Sequence, residues 1–234
     1  MVQKDSTPAP APAPASASAA PPAKRRGRPR SYEPDAALAR AMDAFWKSGY
    51  AATSLDDLSA ATGMNRPSLY AAFGDKQDIY SKAYRKYRAR MRDDFQPIVE
   101  APEPVRIVLR RIFEAAGEVY LSGPDGPRGC FSVVTAASEA VADAEIRKLV
   151  VEAIAALDQT FAVLFAKAIA RGELPAGANP AALAKVATAT LHTLAIRARV
   201  RAPTIELKEL IDGAVSVICG PDPARSARDG SAAE

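Results

Sequence analysis

The stretch from Thr53 to Lys76 reads TSLDDLSAATGMNRPSLYAAFGDK. Its punctuation predicts two short helices joined by a tight turn. Thr53 or Ser54 can cap the first, with Asp56 and Asp57 in its first turn, where carboxylates suit the positive helix end. Leu55 and Leu58 give that helix an apolar face. Gly63 falls just past its end, where glycine takes a left-handed backbone at little cost. Asn65 can cap the second helix, and Pro67 is tolerated in its first turn. Leu69 and Phe73, four residues apart, face inward together. Arg66, Ser68 and Tyr70 are then left on the outer, amino-terminal part. A helix-turn-helix needs this arrangement: one helix braces while the next offers its first turn to the major groove.

The segment resembles the DNA-binding domain of the TetR family of transcriptional repressors. Phe45, Gly49, Tyr50, Thr53, Ser54, Leu58, Gly63, Leu69, Tyr70, Phe73 and Lys76 carry the likeness. It extends over roughly Pro34 to Ala83, far longer than a chance short motif. The resemblance implies an all-α protein: an N-terminal three-helix helix-turn-helix domain, then a C-terminal helical domain for ligand binding and dimerisation. The expected division is a tail and basic arm over 1–30, the DNA-binding domain over 31–77, the sensing domain over 78–220, and a second tail over 221–234.

A chain of 234 residues, 48% hydrophobic and 25% charged, has the composition of a soluble globular protein. The net charge is +4, with basic residues clustered near the amino terminus, which points to an anionic partner there. Cys130 and Cys219 lie far apart without zinc-type spacing, so a disulfide framework is not expected and a reducing cytoplasm fits. No apolar run reads as long enough to span a membrane, and MVQKDSTPAP lacks the apolar core of a signal peptide.

Working outward, residues 1 to 23 are low-complexity Ala, Pro and Ser and are expected to be disordered. KRRGRPR follows at 24 to 30. It reads either as a solvated basic linker or as a narrow cationic arm, similar to an AT-hook, that lays Arg26, Arg28 and Arg30 in an A·T-rich minor groove. Pro34 opens the first helix, with Leu38, Met42, Phe45 and Trp46 facing the core and Gly49 ending it. Trp46 reads as core. Asp75 caps a long helix from Lys76 to about Phe95, with Ile79, Ala83, Tyr87 and Met91 as its buried stripe. The run Pro97 to Pro104 breaks this helix and marks a boundary.

Beyond it every signal is helical. Val105 to Tyr120 carries one apolar stripe that includes Val119, SGPDGPRG is a loop, and a short helix starts near Cys130. A long helix spans Asp143 to Arg171. Asn179 and Pro180 open another that runs to about 201, and Thr204 caps the last, 205 to 219. The final two helices are apolar on more than one face. A twofold four-helix interface covers such surfaces, and in the TetR family these helices form the homodimer.

By the family match, Thr53, Tyr70 and Lys76 touch phosphates. Base reading falls to the amino-terminal turn: Asn65, Arg66, Pro67 and Ser68. Arg66 suits either guanine's two acceptors or a further phosphate, and Pro67 an apolar contact such as a thymine methyl. The family encloses a ligand pocket, for which Phe113, Tyr120, Cys130, Phe131, Phe161, Phe165 and His192 are candidates; core packing is the alternative for each. His192 is the only histidine, so a histidine metal cluster is excluded, and no cofactor is expected. The expected partners are a double-stranded DNA operator, a second copy of the chain and a small-molecule inducer, with no membrane. Cys130, after Gly129 and near Arg128, reads either as a thiol-reactive sensor or as a small buried apolar residue.

Two other classes compete. An enzyme needs a nucleophile with a base, or paired carboxylates at one site, and neither His192 nor Glu118, Glu139 or Glu152 supplies one. An architectural A·T-rich DNA-binding protein would act through KRRGRPR alone, which leaves the intact helix-turn-helix unused.

Overall fold

The computed structural model describes residues 33–137 and 139–221. The Ala/Pro-rich tail, the basic arm with Arg26, Arg28 and Arg30, and the tail beyond residue 221 lie outside them. All regular structure in the described residues is helical: α1 (Pro34–Ser48), α2 (Leu55–Thr62), α3 (Arg66–Phe73), α4 (Lys76–Val99), α5 (Val105–Leu121), α6 (Ala144–Ala170), α7 (Pro180–Arg199) and α8 (Thr204–Cys219). A π-helical turn at Ser132–Ala136 and a short 3₁₀ turn at Glu139–Val141 join α5 to α6.

Local chemistry sets most helix starts. Ser54 and Asp57 form a reciprocal capping box on α2, and Asp75 and Asp78 form another on α4. The Asn65 carboxamide accepts from the Ser68 N–H, while Asp143 and Asn179 cap α6 and α7. At α8 the expected cap is corrected: Pro203 is the N-cap and Thr204 is the first helical residue, without a side-chain cap bond. α5 likewise follows Pro104, and its Val105 N–H instead donates to the Glu173 carboxylate from the loop after α6.

Two further expectations change. α4 runs to Val99, with Pro97 inside its last turns. A proline there removes only one bond near a frayed end, so the stop falls later than the residue type suggests. α6 has, by length and composition alone, the apolar character to cross a membrane, an 18-residue stretch of it averaging a hydropathy of 1.8. Its acids, Glu145, Glu152 and Asp158, are too sparse to offset its Ala, Val, Leu and Phe content. It instead buries Ile146, Leu149, Phe161, Leu164 and Phe165 in the helical body.

The core is continuous from Ala37 to Ile218. Phe131, fully buried, sits at its centre. Its ring lies 5.4 Å from Trp46, 5.7 Å from Tyr80, 6.0 Å from Tyr84 and 5.4 Å from Tyr87. Such pairs add about 0.5–1.5 kcal/mol each beyond the area they bury. α4 therefore has two buried faces. Tyr80 and Tyr84 are fully buried beside the expected Ile79, Ala83 and Tyr87, while Met91 is only partly buried, as is Val119 on α5.

Candidate nucleic-acid interface and effector cavity

α2 and α3 meet across Gly63, whose φ of 70° is the left-handed conformation the turn requires. Leu58, Met64, Leu69 and Phe73 are buried under the pair. The outer surface of α3 is consequently fixed: Asn65, Arg66, Pro67, Tyr70 and Ala71 are exposed, and Ser68 is half-buried. Ala71 was not expected. It lies one turn beyond Pro67, and its small side chain leaves that part of the helix surface low. Lys82 donates to the Phe73 carbonyl at 2.5 Å and holds the far end of α3.

The expected contact residues are not equivalent. Tyr70 is 47% exposed, with its ring lying outward. Lys76 opens α4; its ammonium lies 4.4 Å from the Tyr50 ring centroid and 3.4 Å from the Ala51 carbonyl, which holds it beside the helix start. Arg66 is held by Asp56 through two bonds, Nε to Oδ1 at 2.9 Å and Nη2 to Oδ2 at 2.7 Å. This pair is exposed and therefore weak, so a base or phosphate can compete for the guanidinium. Thr53 departs from expectation. It is 1% exposed, and its hydroxyl donates to the Gly49 carbonyl at 2.6 Å. It braces the turn between α1 and α2 and presents no hydroxyl to a phosphate in this structure; Ser54 is the exposed neighbour and the cap.

A seam of specific bonds ties this unit to the rest of the body. The Trp46 indole N–H donates to the Gly129 carbonyl at 3.2 Å, and the Arg128 guanidinium lies 3.8 Å from the Trp46 ring centroid while pairing with Asp43. Gly129 has φ 68°, and a Cβ there would lie 2.8 Å from the Ala195 carbonyl, so α7 closes directly on this loop. Arg199 of α7 donates to the Trp46 and Lys47 carbonyls at 3.4 and 3.1 Å. It places a cation at the negative end of α1. Tyr80 bonds Thr135 at 2.7 Å, and Gln77 donates to Asp143. Burial pushes the Tyr80 hydroxyl's pKa well up, and the Thr135 bond moderates that rise.

Below the seam lies a cavity of about 520 Å³ between α4, α5 and α6. Tyr120, Cys130 and Phe161, three of the expected pocket residues, line it. Phe113, Phe131 and Phe165 are instead fully buried core behind it, and His192 is half-buried outside the lining. Burial holds His192 below its usual pKa, opposed by nearby Asp158. Tyr84, Tyr87, Ile112, Leu149 and Leu157 complete much of the wall and were not anticipated. The Tyr87 hydroxyl is 3.4 Å from the Cys130 thiol, and burial drives the Tyr87 and Tyr120 hydroxyls well above the usual phenol range. Arg128, expected to activate Cys130, is engaged with Trp46 and Asp43. Cys130 is 7% exposed, and Cys219 is half-buried, its thiol pushed up by burial.

A capped helix-turn-helix on a helical body with a cavity open to one side is the architecture of a DNA-binding regulator. Residues 37–83 match the family described as bacterial regulatory proteins, tetR family, and residues 108–213 match the tetracyclin repressor-like C-terminal domain. The HTH-type transcriptional repressor ComR of Escherichia coli is 31% identical over 80% of this chain and 89% of its own. The uncharacterized HTH-type regulator YezE of Bacillus subtilis is 28% identical over 82% of this chain and 99% of its own. The TetR-family regulator CifR, solved as a cysteine mutant with 26-base-pair double-strand operator DNA, is 29% identical. It covers 80% of this chain and 98% of its own with a TM-score of 0.74. The chain belongs to the TetR family of transcriptional regulators, and it binds operator DNA as such regulators do.

Proposed function

We propose that this regulator is a repressor that acts in the cytoplasm as a homodimer, binds a pseudo-palindromic operator, and leaves it when a small molecule occupies the cavity. The observation that carries this reading is the seam. Gly129, which accepts the Trp46 indole, is followed directly by Cys130 in the cavity wall, so the DNA-reading unit and the cavity share one loop. A ligand that displaces Cys130 or Phe131 acts on α1 through Gly129 and Trp46. The two states are then distinguished by the tilt of α1 to α3 against the body.

On the DNA, Tyr70 and Lys76 anchor phosphates, while Arg66, Pro67 and Ser68 reach base edges with Asn65 holding the turn. Tyr70→Phe and Lys76→Ala are expected to weaken binding about equally for all sequences. Arg66→Ala is expected to cost about 1–3 kcal/mol and to relax the choice of base at one position of each half-site. Fluorescence-anisotropy titrations on a site and its single-base variants check both. Unchanged affinity for Tyr70→Phe and Lys76→Ala together would remove the phosphate roles.

The basic arm is proposed to lie in the minor groove beside each half-site. Removing residues 1–30 should reduce affinity and flatten its salt dependence, since fewer counterions are released. The loss should be larger for sites with A·T-rich flanks. An unchanged salt slope would make the arm a passive linker.

The inducer is either non-covalent or thiol-reactive. Cys130 sits in the cavity wall, so an electrophile small enough to enter reaches it. A mild alkylator is expected to release operator from the parent protein and not from Cys130→Ser. If mass spectrometry shows Cys130 modified while DNA stays bound, the thiol route is wrong.

A further inference from the structure

The cavity has an uneven distribution of charge. Its α4 wall carries Arg85, Arg88 and Arg92, against a single acid, Glu152, on α6. Arg92 is paired with Asp93, but no ion pair engages Arg85 or Arg88 among the described residues. One turn before Arg88, Tyr84 is fully buried and lines the cavity, and its hydroxyl has no partner in hydrogen-bond geometry. Burial raises that hydroxyl's pKa, with Ser132 and Arg88 close enough to moderate the rise. A buried hydroxyl in the cavity wall that no protein group engages in good geometry is a donor open to a bound acceptor. Deeper in, the wall is apolar, with Ile112, Leu149 and Phe161.

We propose that the cavity takes an amphipathic monoanion: an apolar body against Ile112, Leu149 and Phe161, and a carboxylate or sulfonate held by Arg88 and the Tyr84 hydroxyl. The proposal rests on the cavity's being the inducer site and adds the chemical class of its occupant. Arg85, exposed at the rim, draws the anion inward. Cations are disfavoured by the same field, and neutral ligands leave Arg88 without a counterion. A volume of about 520 Å³ suits an apolar body of modest size.

The test is displacement of a neutral fluorescent probe, N-phenyl-1-naphthylamine, from the full-length protein by decanoate and by decanamide. These competitors share an apolar tail and differ in charge. Decanoate is expected to displace the probe at a concentration about ten- to a hundredfold lower, the scale of hydrogen bonds to a charged group. Arg88→Gln should remove most of that advantage, and Tyr84→Phe a smaller part, without altering displacement by decanamide. Equal potency of the two competitors, or an advantage that survives Arg88→Gln combined with Arg85→Gln, overturns the anion assignment and leaves the cavity as a neutral-ligand site. Ala153→Trp, and Ala156→Trp at the more exposed edge, fill the cavity and should abolish probe binding. If the probe does not bind the parent, or binds both filled variants as it binds the parent, the cavity is not a ligand site; that failure removes the inducer reading itself.

Discussion

Trp46→Ala is expected to unfold the regulator about 10 °C earlier than the parent. Trp46 is 2% exposed, and its ring is 5.0 Å from Tyr87 and 5.4 Å from Phe131, under the Arg128 guanidinium. Truncating such a residue leaves a cavity worth about 3–5 kcal/mol, and at this chain length each kcal/mol shifts the midpoint by about 2–4 °C. Trp46→Phe separates packing from coupling. It keeps an aromatic ring but leaves the Gly129 carbonyl without the indole donor. Its midpoint should fall by only a few degrees, while the concentration of ligand needed to release operator changes several-fold. Thermal denaturation followed by circular dichroism, with operator titration on the same samples, reads both. If Trp46→Phe responds to ligand as the parent does, the seam transmits nothing through this bond.

The second large effect concerns the unpartnered faces of α7 and α8. Along α7, Ala182, Val186, Ala189, Thr193, Ile196 and Val200 fall at intervals of four and three residues, a single stripe on one face. Val200 is 70% exposed, as is Ile196 to 52%, and Val217 on α8 reaches 75%. Isolated exposed apolar residues are ordinary, but a continuous stripe of small and β-branched side chains along α7, together with Val217 on α8, is the surface that the proposed second copy would cover. Ile196→Glu with Val217→Glu places four like charges in a twofold interface. Sedimentation equilibrium should show a monomer, with α-helical content retained. Operator affinity should drop by about a hundredfold or more, because the second half-site no longer binds intramolecularly. A variant that stays dimeric would place the interface elsewhere.

The DNA-reading unit was legible because its determinants are local. Ser54, Asp57, Gly63, Asn65, Pro67 and Asp75 fix caps and a turn within a few residues of themselves, and the structure uses them as read, down to the Asn65 bond to Ser68. Helix starts at Pro34, Asp143 and Asn179 were legible for the same reason. What escaped depends on distant partners. A helical period assigns one buried stripe to α4, and nothing in it shows that Phe131, some fifty residues on, packs against Tyr80 and Tyr84. The Asp56–Arg66 pair forms only once the turn brings α2 and α3 together. The phosphate role of Thr53 comes from the family resemblance alone, and as caps Thr53 and Ser54 are equivalent on paper; the fold caps with Ser54 and turns the Thr53 hydroxyl to Gly49. The cavity was half legible. Aromatic residues mark a core equally well, and only tertiary placement separates Phe161, in the wall, from Phe113 and Phe165 behind it.

If a dimer presents α3 twice, the protein reads a discrete operator. Repeated selection of random duplex DNA by the purified full-length protein, followed by sequencing, tests it most directly. The expected product is an inverted repeat whose half-sites present successive major grooves to the two copies of α3, with one preferred base in each half lost in Arg66→Ala. Enrichment of A·T-rich tracts without a repeat, unchanged by Arg66→Ala, would contradict it and assign DNA binding to the basic arm alone.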